Sequence, residues 1–461
     1  MNKDNIYDVL IVGAGIGGLV CGCYLAKHGK KVLIFEKNDH PGGCCTSFVK
    51  NGFHFDAAAH SLGGMSQEGP IGSVLRELEI DDAGLYRTNP AYILQIDGYK
   101  LNIWNNFSET IDVLIKDFKD EKKAIEDFFK FILSATTLSL IKLKKLSFEQ
   151  FLNQYFFNEK LKAVLFSPLL GNTGVEPLKI STFTALKFYQ QYILDGGYHL
   201  RGGMQALPDL LMKKFCELGG QVRLLTEVNK ILIKHNTAVG VKAKEEIYNA
   251  QVIVSNIDSR RTFLGLIERR ILGSKAVDLL NSLRPSSSLY ACYIGLKGSV
   301  ICDLKPEITH WFVSDYDIKK IYQNVHDCKL TFDWLAVRLS KDRKNLQVFT
   351  IAPLMDETYW RNNDIHWKEG LRKRIATIIP NFSDFVDLFL TANPITIMRW
   401  TANYGGATCG WESTPDQFSV SGISQRTMVA NLYLTGHWTT TTLGIPGVVN
   451  VGKSTAQMIL A

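Results

Sequence analysis

No uninterrupted apolar stretch reaches the roughly 18 residues that a membrane-spanning helix needs, although 46% of the 461 residues are hydrophobic. A spanning segment is excluded; large buried cores are not. Basic runs are also short. None exceeds three residues, and the formal charge of +7 is dispersed, which excludes a nucleic-acid footprint and leaves a membrane surface open as a partner. Nine cysteines, an odd number without disulfide-scaffold spacing, read as reduced thiols. Cys21 and Cys23 face different directions on a predicted helix. Cys44 and Cys45 are adjacent with no second Cys/His pair, so no metal site is expected. Ser-His-Asp spacing and paired carboxylate motifs are likewise missing. Because the polar "MNKDN" runs straight into the strand-like "YDVLIVG", no cleavable signal peptide is expected. The expected location is cytoplasmic, with peripheral membrane attachment.

What is present begins with glycine. The stretch "GVVNVGKS", Gly447 to Ser454, fits the phosphate-loop pattern G-x-x-x-x-G-K-[ST]. About a dozen residues separate it from the candidate strand "NLYL", too little chain follows for a magnesium-binding strand, and its variable positions are mostly apolar. A phosphate loop starts directly at its strand, so a nucleoside triphosphatase is not expected.

The N-terminal block is different. "YDVLIVGAGIGGLVCGCYLAKHGKKVLIFEK" reads as strand, glycine turn, helix and strand, the order of a dinucleotide-binding unit. Gly13 permits the tight turn, Gly15 lets a pyrophosphate approach the backbone, and Gly18 lets helix and strand pack closely. Glu36 ends the second strand, where a carboxylate accepts ribose hydroxyls and disfavours the 2′-phosphate of NADP; Lys37 beside it joins the cofactor set. The following "PGGCCTSF" adds Gly42, Gly43 and Cys44. A second glycine pair after the acid is carried by large flavoenzymes of the glutathione-reductase type and not by simple NAD dehydrogenases, so FAD is the expected cofactor.

Taken with "YHLRGGMQALPDLLMKKFCELGGQVRLLTEVNKI", "NAQVIVSNID" and "NLYLTGHWTTTTLGIPGVVNVGKSTAQMIL", the chain resembles the phytoene desaturase and carotenoid isomerase family of FAD proteins, a branch of the amine-oxidase superfamily. The resemblance implies that Val228 lies against the adenine. Gly436 and His437 would border the ribityl and pyrophosphate groups. The amides of Gly447 and Val448 would face the flavin ring and stabilise its anionic reduced form. Two departures stand out: Cys44 replaces an Arg carried by many relatives, and His437 replaces an acid common in flavin oxidases.

The implied fold is α/β: a discontinuous FAD-binding Rossmann domain from residues 1–75, 198–265 and 415–461, an antiparallel substrate sheet from 85–107 and 285–414, and a helical subdomain, 108–197, available to a membrane. "YILQIDGYKLNIW", "SLYACYIGL" and "NLQVFTIAP" alternate as strands do. Twelve of 25 phenylalanines fall between positions 101 and 200. Phe128, Phe129, Ile132, Leu133, Thr136, Leu140 and Leu143 recur at helical spacing, either as a core face or, with Lys142, Lys144 and Lys145, as a lipid-dipping surface. His60 in "FDAAAHSL" is either a structural histidine or an acid/base group, and "NYGGATCGWES" is read as a loop against the cofactor.

The activity implied is hydride removal from a C–C bond of a long apolar polyene or isoprenoid, with oxygen or a quinone as final acceptor. Isomerisation and saturation share the scaffold. An amine or amino-acid oxidase, and a flavin-binding, membrane-associated protein without turnover, are the other classes.

Overall fold

The computed structural model describes residues 6–59, 61–80, 84–298, 300, 302–419, 424–439 and 444–461. Its first seven-stranded sheet is ordered Val228–Lys234, Thr237–Ala243, Glu246–Ser255, Ile6–Val12, Val32–Phe35 and Gln221–Arg223, with Leu432–Leu434 also paired to Glu246–Ser255. Ile6–Val12 runs parallel to both neighbours, and its interior residues Val9, Leu10 and Ile11 are fully buried. A parallel strand covered on both faces reads as a continuous apolar run, as "VLIV" does. The helix Ile16–Lys27 crosses over to Val32–Phe35. A Cβ on Gly18 would overlap the Gly13 carbonyl oxygen, so this crossover can sit so near its strand only with glycine there.

The second sheet also has seven strands: Val386–Ala392, Ser288–Leu296, Asn345–Ala352, Trp334–Leu339, Thr309–Val313, Tyr92–Ile96 and Tyr99–Ile103. It departs from the antiparallel expectation at one place, where Thr309–Val313 pairs parallel to Tyr92–Ile96. The expected apolar–polar alternation is also replaced. Ser288–Leu296 is buried at every position except Leu289, because both faces are covered. Tyr290, Cys292 and Ile294 meet the helix Glu357–Ala376 through Trp360, Trp367 and Leu371, while Ala291 and Tyr293 point into the opposite core.

That opposite core explains the phenylalanine-rich segment. Phe128, Phe129, Ile132 and Leu140 are buried with Trp311, Val313 and Ile351, so these four cover the sheet and are not a lipid face. Leu133, Leu138 and Ile141 are the exposed apolar residues there, at 51%, 79% and 44%, beside exposed Lys142 and Lys145. Among the described residues no helix is long and apolar enough to cross a membrane.

The phosphate-loop look-alike lies wholly inside the helix Gly444–Leu460. Lys453 Nζ pairs with Glu77 Oε1 at 2.6 Å, and Ser454 Oγ accepts from Gln425 Nε2 at 2.7 Å. From Val448 onward these residues offer no cradle of free amides, because their N–H groups are bonded to the preceding turn.

Candidate functional site

One cleft runs from the C-terminal ends of the parallel strands to the inner face of the second sheet. Its outer end is lined by Gly13, Gly15, Glu36, Lys37, Gly42, Gly43, Val228 and Arg261. Glu36, 7% exposed, accepts from the backbone N–H groups of Ala14 and Asn38, each at 2.9 Å. Two bonds fix the carboxylate and leave lone pairs for a ligand's hydroxyls. Lys37 Nζ donates to the Arg399 carbonyl at 2.6 Å; burial, with Arg261 adding to it, lowers its pKa.

The middle of the cleft is where the glycine turn meets Gly436. A Cβ on Gly17 would stand 2.9 Å from the Gly436 backbone. Asn256 is wedged between the two. Its Nδ2 donates to the Gly13 carbonyl at 3.1 Å, and its side chain blocks the Cβ positions of Gly15, Gly17, Gly18 and Gly436. Asn256 was missed as a site residue, although it follows immediately on the strand "NAQVIVS". Two residues on, Asp258 accepts from the Tyr404 N–H at 2.7 Å, tying this turn to the "NYGG" loop. That loop supplies Asn403, Thr408 and Cys409 to the cleft wall.

Inward of Cys44 and His437 the lining changes character. Ser61, Tyr92, Phe188, Tyr192, Leu289, Trp311, Ile445 and Val448 enclose an arm whose described lining residues include none with a charged side chain. Tyr92 stacks on Trp311, ring centroids 4.2 Å apart, and Phe188 on Tyr192 at 5.1 Å. The titratable groups bordering the arm are held neutral. Burial lowers His437 to about 4 and raises Cys44 to about 12, with Cys409 nearby adding to the rise. Burial also raises Tyr92 to about 12 and Cys409 to about 11, and pushes up Tyr192.

Tyr192 joins the arm to the last helix. Its hydroxyl oxygen accepts the Ile445 N–H at 3.0 Å, and a Cβ on Gly444, whose φ is +55°, would overlap that hydroxyl. The tyrosine thereby takes one of the amides that an α-helix N-terminus leaves free.

Of the residues expected from sequence, Gly13, Gly15, Glu36, Lys37, Gly42, Gly43, Cys44, Val228, Gly436, His437 and Val448 line this cleft. Gly18 and Gly447 are not among its lining residues: Gly18 serves the helix–strand contact, and Gly447 is the fourth residue of its helix, with Gly444 and Ile445 reaching the cleft ahead of it. His60 lies outside the described residues. Tyr92, Phe188, Tyr192, Leu289 and Trp311 were missed; each sits in an ordinary strand or helix pattern and becomes a wall only through tertiary packing. No group of three or more His, Cys, Asp or Glu side chains arranged to hold a metal occurs among the described residues.

Residues 11–78 match a family described as an NAD(P)-binding Rossmann-like domain. The chain is 24% identical to the all-trans-retinol 13,14-reductase of Danio rerio, over 93% of this chain and 82% of that protein. It is 26% identical to a 4,4′-diapophytoene desaturase of a Methylomonas species, over 99% and 95%. In fold it is similar to an oxidoreductase from Methanosarcina mazei, with a TM-score of 0.67 at 19% identity, covering 98% of this chain and all of that one. With its dinucleotide-binding turn continuing into an uncharged arm, the chain is similar along nearly its whole length to oxidoreductases that include a retinol reductase and a diapophytoene desaturase.

Proposed function

We propose that this protein is an FAD-dependent oxidoreductase that dehydrogenates a C–C bond of a long apolar polyene or isoprenoid. The observation that carries the reading is the uncharged aromatic arm opening from the inner end of a dinucleotide cleft. The residues present fit FAD. The crowded glycine crossing leaves backbone within reach of a pyrophosphate, the Glu36 carboxylate is positioned for ribose hydroxyls, and Val228 offers an apolar wall for adenine. When bound, FAD supplies the hydride acceptor.

The protein's own contribution is placement. A hydrocarbon gives no polar handle, so orientation comes from shape, with Tyr92–Trp311 and Phe188–Tyr192 as flat walls along which a conjugated chain can lie. The N-terminus of the helix Gly444–Leu460 brings positive dipole potential to the same place. An amine or amino-acid oxidase would need a cationic or aromatic clamp for a polar substrate; the arm has aromatic pairs but no charged lining residue beside them, those of the cleft being Glu36, Lys37, Glu227 and Arg261.

Saturation is the second reading. One observation favours it: the Tyr192 hydroxyl accepts from Ile445, while its own hydrogen has no acceptor among the described residues, as a proton donor to a reduced double bond requires. In this scheme residues 1–75, 198–265 and 415–461 hold the cofactor, 85–107 and 285–414 the substrate, and 108–197 covers it, with Leu133, Leu138 and Ile141 beside Lys142 and Lys145 as the lipid-touching patch. Recovery of Leu138→Glu/Ile141→Glu with anionic vesicles equal to wild type would remove that patch from the account.

The reaction is tested by incubating the oxidised, flavin-loaded protein with a polyene in the absence of an electron acceptor. Dehydrogenation gives a product lighter by two hydrogens and a bleached flavin. A product heavier by two hydrogens, formed only after flavin reduction, establishes saturation, and one of unchanged mass under the same conditions establishes isomerisation. Oxygen or a quinone restores the oxidised flavin in the first case.

A further inference from the structure

A second cavity, of about 740 Å³, shares no lining residue with the cofactor cleft and is lined mostly by polar and charged residues. His54 and Asp56 reach it from the strand Phe53–Asp56, His199 from Tyr198–Leu200, Arg338 from Trp334–Leu339, and Asn345 and Gln347 from Asn345–Ala352. Arg201 and Lys341 stand exposed at its edge.

The acids in this cavity are already engaged. Asp56, 5% exposed, accepts from Ser47 Oγ at 2.7 Å, the Met204 N–H at 2.8 Å and Arg338 Nη1 at 3.3 Å. Glu307 accepts from the Tyr86 hydroxyl. Arg338 also donates to the Glu307 carbonyl at 3.3 Å and to the Tyr86 oxygen at 3.4 Å. Three of its five N–H groups are thus used, and two remain. Neither Arg201 nor Lys341 has an ion-pair partner among the described residues; with Arg338 paired to Asp56 and the Glu307 carboxylate bonded to a neutral hydroxyl, the charged lining residues leave a net positive charge of one. One acceptor is also left over: Asn345 Oδ1 is buried without a hydrogen-bond partner, and such an atom is costly unless a donor reaches it.

These features define a ligand. Charged side chains at Arg201, Glu307, Arg338 and Lys341 favour a polar ligand over a hydrocarbon. A metal is excluded because Asp56 and Glu307 are spent and no set of potential metal ligands was found here or elsewhere among the described residues. Two free cations beside a fixed guanidinium match a phosphate, which takes Arg as a fork and Lys as a point charge. Asn345 and Gln347 add side-chain amides to the same wall, which suit a hydroxyl on the same molecule. We propose that this cavity binds a hydroxyl-bearing phosphate ester, a sugar phosphate or a nucleotide, at a site separate from the one that holds the cofactor.

The test is calorimetric titration of the flavin-loaded protein, whose nucleotide cleft is filled, with glucose 6-phosphate, AMP, inorganic phosphate and glycerol. The expected result is binding of at least one ester more tightly than inorganic phosphate, and none of glycerol. The better of the two esters tells a sugar phosphate from a nucleotide. Arg201→Ala/Lys341→Ala should weaken ester binding at least about tenfold and reduce its salt dependence, two lost ion contacts being involved, with the flavin spectrum unchanged. Asn345→Leu should remove the preference for esters over inorganic phosphate while leaving phosphate affinity in place. Absence of binding by every phosphate compound, or ester affinity unaltered in Arg201→Ala/Lys341→Ala, would overturn the proposal and leave the cavity a cleft of solvated side chains.

Discussion

The two ends of the cofactor cleft are built by different rules. The outer end is made largely by one continuous stretch, Val12 to Cys45, in which turn, helix and strand follow each other directly. The inner arm draws single residues from segments scattered along the chain: Tyr92 from one strand, Phe188 and Tyr192 from a helical turn, Leu289 and Trp311 from two more strands, and Ile445 from the last helix. Binding a phosphate backbone needs close approach of main chain, which a local glycine pattern provides. Enclosing a hydrocarbon needs only apolar surfaces brought together, which no local pattern announces. The two ends should therefore fail in different ways.

The largest effect belongs to Gly15→Val. The new side chain meets the movable Asn256 amide, 2.9 Å from the Cβ position, and not the backbone, so the fold should survive while the pyrophosphate approach is closed. Protein with wild-type circular dichroism and no flavin absorbance is the expected result. Flavin retained at the wild-type level would break the assignment of this end.

Leu289→Glu is its mirror. A carboxylate in the uncharged arm should lower turnover of a polyene by about a hundredfold or more, since an unpaired charge there costs several kcal/mol, with flavin content unchanged. Loss of flavin together with turnover would mean that the two ends are not separable.

Tyr192→Phe tests the joint between them. It leaves the Ile445 N–H without its acceptor, worth about 1–3 kcal/mol if nothing replaces it. A lowered Tm and a shifted flavin spectrum with cofactor retained are expected. If saturation is the reaction, the pH profile of turnover should also change, which a purely structural role would not produce.

The most diffuse effect is on stability against pH. His437, at the inner end, and His310, buried next to Trp311 on the strand Thr309–Val313, are both lowered to about 4 by burial. Between about 4 and 6.5 the unfolded chain takes up protons that these sites refuse, so stability falls as pH drops through that window and is level above it. Each contributes up to about 3 kcal/mol across the whole window. The carboxyls of buried Asp258 and half-buried Asp195 and Glu412 are raised by desolvation and act with the opposite sign. The comparison to make is therefore wild type against His310→Phe, in which the fall on acidification should be smaller.

Legibility in the sequence followed the same division. Gly13, Gly15, Glu36, Gly42 and Gly43 were readable as cleft residues because the pattern expects a backbone or carboxylate task of each at fixed spacing. Asn256 was not, because its task is set by Gly436, which is 180 residues away in sequence and meets it only in the folded sheet. The phenylalanine-rich segment showed that helical spacing locates an apolar face without saying what covers it: Phe128 and Phe129 meet the sheet, and the exposed apolar residues are Leu133, Leu138 and Ile141. "SLYACYIGL" misled in the same way, since a strand covered on both faces has no polar side to show. For the last helix, the "GKS" triplet is a coincidence of helix residues, with Lys453 spent on Glu77.

The account stands on the cleft being a flavin site. Denaturing the purified protein and quantifying what it releases tests this most directly. One FAD per chain is the predicted result; a colourless protein that releases no flavin, and takes up none when FAD is added, would contradict it.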